Sequence, residues 1–313
     1  MVTLQIIHYN AGHIELIRVF SQMSKKDLLE MAGERDFISG IYNYCDRWCE
    51  RCAFTSRCFL YATEQADPDL DNPEVRDINN EKFWRKLESI FRDAAELIAE
   101  WAAENNVDLE SIDVSEEMAE RERELEKAEQ NELSQAAHRY ATNVENWFRE
   151  ELGSNETVHH DAGKTSEEDY QQFEIEDALE IIRWYQFLIT VKLVRALSGA
   201  SETSEEPDDD DDLSMDFLSG FETMDDDDVD YDEVIARTAR MDANGSAKVA
   251  LVAIDRSIGA WRALQISLPE KSDTIKPMLI ELGALRSAAE ARFPRARDFI
   301  RPGLDEALSD FVS

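Results

Sequence analysis

All four cysteines of this 313-residue chain fall within fourteen positions, Cys45, Cys49, Cys52 and Cys58, spaced C-x3-C-x2-C-x5-C. Four thiols packed this closely, with no cysteine elsewhere, point to one metal site. A pair of disulfides competes with that reading. It would need tightly constrained Cα separations and an oxidising compartment, and no secretory leader supports the latter. Burial alone gives thiols no reason to cluster.

Two metals suit the set. Zinc takes four thiolates as a closed tetrahedral site, usually from two separated knuckles. A single loop carrying every ligand is the habit of iron–sulfur proteins, so a [4Fe–4S] cluster is the first expectation and zinc the alternative. The gaps Cys49-x2-Cys52-x5-Cys58 resemble the cluster loop of the endonuclease III family of DNA glycosylases, although the first gap is narrower than in that family and the likeness stops at the loop. Cys45-x3-Cys49-x2-Cys52 is similar to the triad of radical S-adenosylmethionine enzymes. That resemblance implies a repeated strand–helix barrel, which the rest of the chain does not suggest, and Cys58 could close the open iron position.

Tyr42, Tyr44, Trp48, Phe54, Phe59 and Tyr61 can wall such a site from water, and Arg47, Arg51 and Arg57 can offset its negative charge. The same aromatics would equally serve as ordinary core, and the arginines as a solvated face.

Downstream, apolar residues recur at helical spacing. Phe83, Trp84, Leu87, Ile90, Phe91, Ala94, Leu97, Ile98 and Trp101 give an amphipathic helix over 81–104 with one broad, core-facing apolar side. A long helix is expected over 115–152, charged in its first half and ended by Gly153. Thr165 and Glu168 form a capping box for a helix over 166–198, apolar from Ala178 to Leu197. Helices are also expected over 233–267, where Ala247, Ala250, Ala253, Gly259 and Ala260 permit close helix contact, and over 275–292. Pro294 and Pro302 mark a short tail, 294–313.

The fold class expected is therefore all-α: an antiparallel bundle of four to five long helices, 81–200 and 234–293, with a small N-terminal four-cysteine cap, 23–80. Residues 1–22 read as an extension ahead of a natural start at Met23, followed by a short helix over Lys25–Met31. Residues 201–233 hold seventeen acidic side chains, including Asp208–Asp212 and Asp225–Asp228, and read as a disordered insert. Its Met215-Asp216-Phe217-Leu218-Ser219-Gly220-Phe221 patch could dock on a partner, and the acidic insert could meet a basic protein.

The net charge of −36 argues against binding nucleic-acid phosphates or an anionic membrane surface. A di-iron oxidase is not expected, because Glu156 to His159 is the one Glu-x-x-His and His138 stands alone. Glu180, Arg183, Lys192 and Asp255 interrupt apolar helices and should form interhelical ion pairs; a ligand pocket around Arg183, Lys192 and Asp255 is the enzymatic alternative. The functional expectation is a cytoplasmic cluster protein for electron transfer or redox sensing. The alternative is a zinc-stabilised interaction module using the bundle and the acidic insert.

Overall fold

The computed structural model describes residues 31–33, 36–67, 69, 72–151, 167–201 and 231–305, and every regular element among them is a helix. The proposed extension, residues 25–30 of the expected Lys25–Met31 helix, the Gly153 cap, the His159-His160 loop and the acidic runs lie outside the described residues, while Met31 is helical. Contacts divide the chain into two compact units, Met1–Met118 and Ala119–Ser313.

The first unit holds the cysteine segment, α1 (Phe59–Gln65) and α2 (Glu81–Glu104). Asn80 caps α2, its Oδ1 accepting the Lys82 N–H at 3.0 Å. Lys86 reaches back from α2 to both carboxylate oxygens of Asp67, at 2.8 and 2.7 Å, tying the helix to the chain that leaves α1. The expected apolar face is present, but most of it does not enter a core. Phe83, Ile90 and Ala102 are buried, whereas Trp84, Phe91, Ile98 and Trp101 are exposed. Periodicity defines which side of a helix is apolar; it does not supply something to cover it.

The single helix expected over 115–152 is two helices, α3 (Ser115–Gln130) and α4 (Glu132–Glu151). The break is at Asn131, whose Oδ1 accepts the Leu133 N–H at 2.9 Å as an N-cap does. The division between the two units falls in the first turn of α3. The charged half is largely exposed, with Glu124 and Ala128 buried.

The second unit is built on α4, α5 (Glu167–Ser201), α6 (Tyr231–Ser267) and α7 (Ser272–Arg292). The α5–α6 pair is antiparallel: Tyr185 meets Arg256, and ten residues further along α5, Arg195 pairs with Asp242 at 2.7 Å. Ile182, Tyr185, Ile189, Leu193 and Ala196 on α5 pack away from water, as do Ala247, Ala250, Leu251, Ile254 and Trp261 on α6. Each fully buried large side chain here contributes roughly 1.5–3 kcal/mol. The small residues bring the helices close at Gly199, where an added Cβ would lie 3.3 Å from the Ala239 carbonyl oxygen. Gly259, expected to do this, is exposed and faces open space.

Helices α4, α6 and α7 meet through polar as well as apolar contacts. Trp261 Nε1 donates to the Tyr140 hydroxyl at 3.0 Å inside the core. Trp147 Nε1 donates to Thr274 at 3.1 Å, and Asn143 to Glu281 at 2.7 Å. The segment after α7 is more than a tail. Phe293, Ala296 and Phe299 are buried, and Arg297 pairs with Asp255 on α6 and Glu290 on α7.

Candidate metal centre

The four cysteines lie on an irregular segment of the first unit, shaped by two 3-10 turns, Cys49–Arg51 and Thr55–Arg57. Ile38 N–H donates to the Arg57 carbonyl at 3.0 Å, and Phe37 packs edge-on against Phe59, so the segment is closed back on the chain before it. Tyr44 and Trp48 are buried, and Tyr42, Phe54, Phe59 and Tyr61 half-buried. Tyr44 and Trp48 thus belong to the small core of this segment.

None of the four cysteines is disulfide-bonded and each is half-buried. They lie within electrostatic reach of one another: charge on Cys45 and on Cys58 is felt at Cys49, and charge on Cys52 at Cys58. Cys49 is pushed up to about 12, first by burial and then by the Glu64 carboxylate, with Arg47 opposing. Burial also raises Cys58, against the pull of the Tyr61 and Leu60 N–H groups at the start of α1 and of Arg47. Phe54 N–H donates to Cys52 Sγ at 3.4 Å, and Cys45 donates to the Tyr42 carbonyl at 3.6 Å.

Of the three expected cations, Arg47 acts on both Cys49 and Cys58, favouring their ionised forms. Its backbone is left-handed, φ 58°, a conformation L-residues avoid. Its guanidinium meets Glu64 at 2.9 Å, with both side chains mostly buried. Arg57 instead pairs with Asp36, and Arg51 lies over the Trp48 ring at 4.2 Å. Glu64 was not legible in the cysteine spacing. Its signal is its place on α1, one turn and a half beyond Cys58.

The donor set suits a thiophilic centre: four reduced thiols on one segment, amide donors beside Cys52 and Cys58, and one buried-side cation. The thiols are near neighbours without being drawn into a ligand shell. Among the described residues, no three Cys, His, Asp or Glu side chains are grouped as they would be around a metal ion.

Of the charged residues that interrupt the apolar helices, Asp255 forms the expected interhelical ion pair, with Arg286 of α7. Glu180 and Arg183 are exposed, with Arg183 over the Phe148 ring at 4.4 Å. Lys192 is buried. Asp255 turns to Arg297 at 2.6 Å and Arg286 at 3.6 Å. A groove of about 500 Å³ lies instead between α4 and α7, with Arg139, Glu281 and Arg292 in its lining. His138 is exposed. No helix among the described residues is long and apolar enough to cross a membrane.

Comparison with protein-family models, with curated proteins and with solved structures finds no match to this chain.

Proposed function

We propose that the chain carries a [4Fe–4S] cluster on Cys45, Cys49, Cys52 and Cys58 and uses it for electron transfer or redox sensing. The observation that carries this reading is the placement of four reduced, half-buried thiols on one short irregular segment of the first unit. Isolated buried thiols would simply stay protonated. Four thiolates gain by sharing a cationic centre, and binding displaces their protons. The single-loop spacing favours the cluster over a lone zinc ion.

The cluster would supply a one-electron redox couple. The protein would supply the ligands, a partly dry surround from Tyr44 and Trp48, and amide and guanidinium donors that favour the reduced, more negative form. With four cysteine ligands no iron is left open, which suits electron transfer or sensing better than substrate chemistry. The antiparallel helical bundle of the second unit would act as scaffold. The acidic segment 201–233 would meet a basic protein partner, and a reducing cytoplasm would keep the thiols available.

The function is tested by reductive titration of anaerobically purified protein. The reading expects a visible absorption band that bleaches with reductant and returns on reoxidation. A protein with no reversible redox transition would overturn it. One bound zinc and no visible band would instead leave a structural clip and shift attention to an interaction role.

A further inference from the structure

We propose that α2 is a dimerisation helix, pairing antiparallel with α2 of a second copy of this chain. Trp84, Leu87, Phe91, Ala94, Ile98 and Trp101 follow one another at spacings of three and four throughout, the a and d positions of a heptad repeat. The adjacent stripe, Phe83, Ile90 and Leu97, is buried or half-buried and is used by the helix's own unit. The seam itself is left in water: Trp84 is 53% exposed, Phe91 56%, Ile98 55% and Trp101 54%.

Size matching selects an antiparallel partner. Centred between Phe91 and Ala94, two such helices place Trp84 opposite Trp101 of the other copy, Leu87 opposite Ile98 and Phe91 opposite Ala94. Each of these layers joins an a position to a d position. Running parallel, the helices would set Phe91 against Phe91 and leave a gap at Ala94.

Every cation of α2 (Lys82, Arg85, Lys86 and Arg92) lies in its first half, while Asp93, Glu96, Glu100 and Glu104 lie in its second half, which has no Lys or Arg. Lys86 is engaged by Asp67, but the Arg85 and Arg92 side chains are largely exposed. In the register of the seam Arg85 and Arg92 fall at b, Asp93 and Glu100 at c, and Lys82 and Glu96 at f, so these charges lie on the outer face and the choice of direction rests with the apolar layers.

The area comes near that of a small specific interface. An aromatic side chain buries about 150–250 Å² in full, so six half-exposed aromatics across two copies provide on the order of 600 Å². Leu87 and Ile98 from each copy carry the total towards the roughly 1,000 Å² that a specific interface needs.

Sedimentation analysis of the full chain tests this. A mass twice the 35.9 kDa of one chain is expected, and Phe91→Glu with Ile98→Glu should weaken the dimer at least tenfold. Both positions are exposed, so the helical circular dichroism should persist. The charge-reversal set Glu96→Lys with Glu100→Lys, on the outer face of α2, should leave the dimer within about twofold of the parent. A chain that stays monomeric up to about 100 µM would overturn the proposal. So would a dimer indifferent to Phe91 and Ile98.

Discussion

Arg47 and Glu64, seventeen positions apart, are joined by a 2.9 Å ion pair that spans the cysteine segment from between its first two thiols to the helix beyond its last. The pair sits where the backbone is least comfortable, because Arg47 has φ 58°. One residue therefore closes the segment, places a cation beside Cys49 and Cys58, and turns the chain.

Substitution at Arg47 should separate these roles. Arg47→Ala loses the pair and keeps the unfavourable backbone, so a loss of about 1–3 kcal/mol is expected for a charged hydrogen bond at a mostly buried site. Arg47→Gly loses the pair but adopts the left-handed turn freely. It should be the more stable of the two by about 1 kcal/mol in urea denaturation of the metal-free protein. Equal stabilities would show that the turn carries no strain.

The raised Cys49 thiol sets a pH dependence. An unfolded thiol ionises near about 8.5, whereas Cys49 in the fold holds its proton to about 12. A proton held more tightly in the folded state stabilises it below the unfolded value. That contribution is lost as pH rises from one value to the other. Metal-free protein should therefore lose stability across this alkaline range. Thermal unfolding of Cys49→Ser, which has no thiol to titrate there, should show a shallower decline.

At the other end of the chain the sign reverses. Burial works against ionised Asp305, but Arg301 donates to it through its side chain at 2.7 Å and its backbone N–H at 2.9 Å, and these hold the carboxyl below its usual range. This contribution is present above about pH 4, the unfolded value, and is lost as pH falls through the lower folded value. Asp305→Asn should cost about 1–2 kcal/mol near neutral pH and progressively less on acidification, read from denaturation midpoints at several pH values. A penalty that does not shrink in acid would count against the clasp.

Inside the second unit, Tyr140→Phe removes the acceptor of a buried indole N–H, the 3.0 Å bond from Trp261. Leaving that donor unsatisfied should cost about 1–3 kcal/mol. Adding Trp261→Phe should then cost less than it does in the parent, since the donor is already unpaired. Strict additivity in the double-mutant cycle would mean the bond contributes nothing.

A close helix approach gives a further expectation. At Gly199 a Cβ would already stand 3.3 Å from the Ala239 carbonyl oxygen and 3.6 Å from Ala243 Cβ. Gly199→Leu should force α5 and α6 apart and cost about 1–3 kcal/mol, the usual range for overpacking. Gly259→Ala, which meets nothing, should instead gain a little helix propensity.

The long helices were legible because their burial has a period. The expected 81–104, 166–198, 233–267 and 275–292 correspond to Glu81–Glu104, Glu167–Ser201, Tyr231–Ser267 and Ser272–Arg292. The break at Asn131 was hidden because the charged stretch before it has no apolar phase to interrupt. Exposure of the α2 seam was hidden because a periodic face looks the same whether its cover is the same chain or another. Packing of residues 293–305 escaped notice because three anchors, Phe293, Ala296 and Phe299, make no repeat.

At the candidate centre, spacing identified the four thiols and composition identified the flanking aromatics. Spacing could not single out Arg47 from Arg51 and Arg57. That choice depends on a left-handed turn which arginine does not advertise, and on a carboxylate, Glu64, brought back by α1.

The central claim is that Cys45, Cys49, Cys52 and Cys58 hold one cluster. Iron and acid-labile sulfide should be quantified in anaerobically purified protein alongside its visible spectrum, with Cys49→Ser as the comparison. The account predicts about four irons and four sulfides per chain with a broad visible band, all greatly reduced in the variant. Protein that carries about one zinc, or no metal at all, and has no visible band would contradict it.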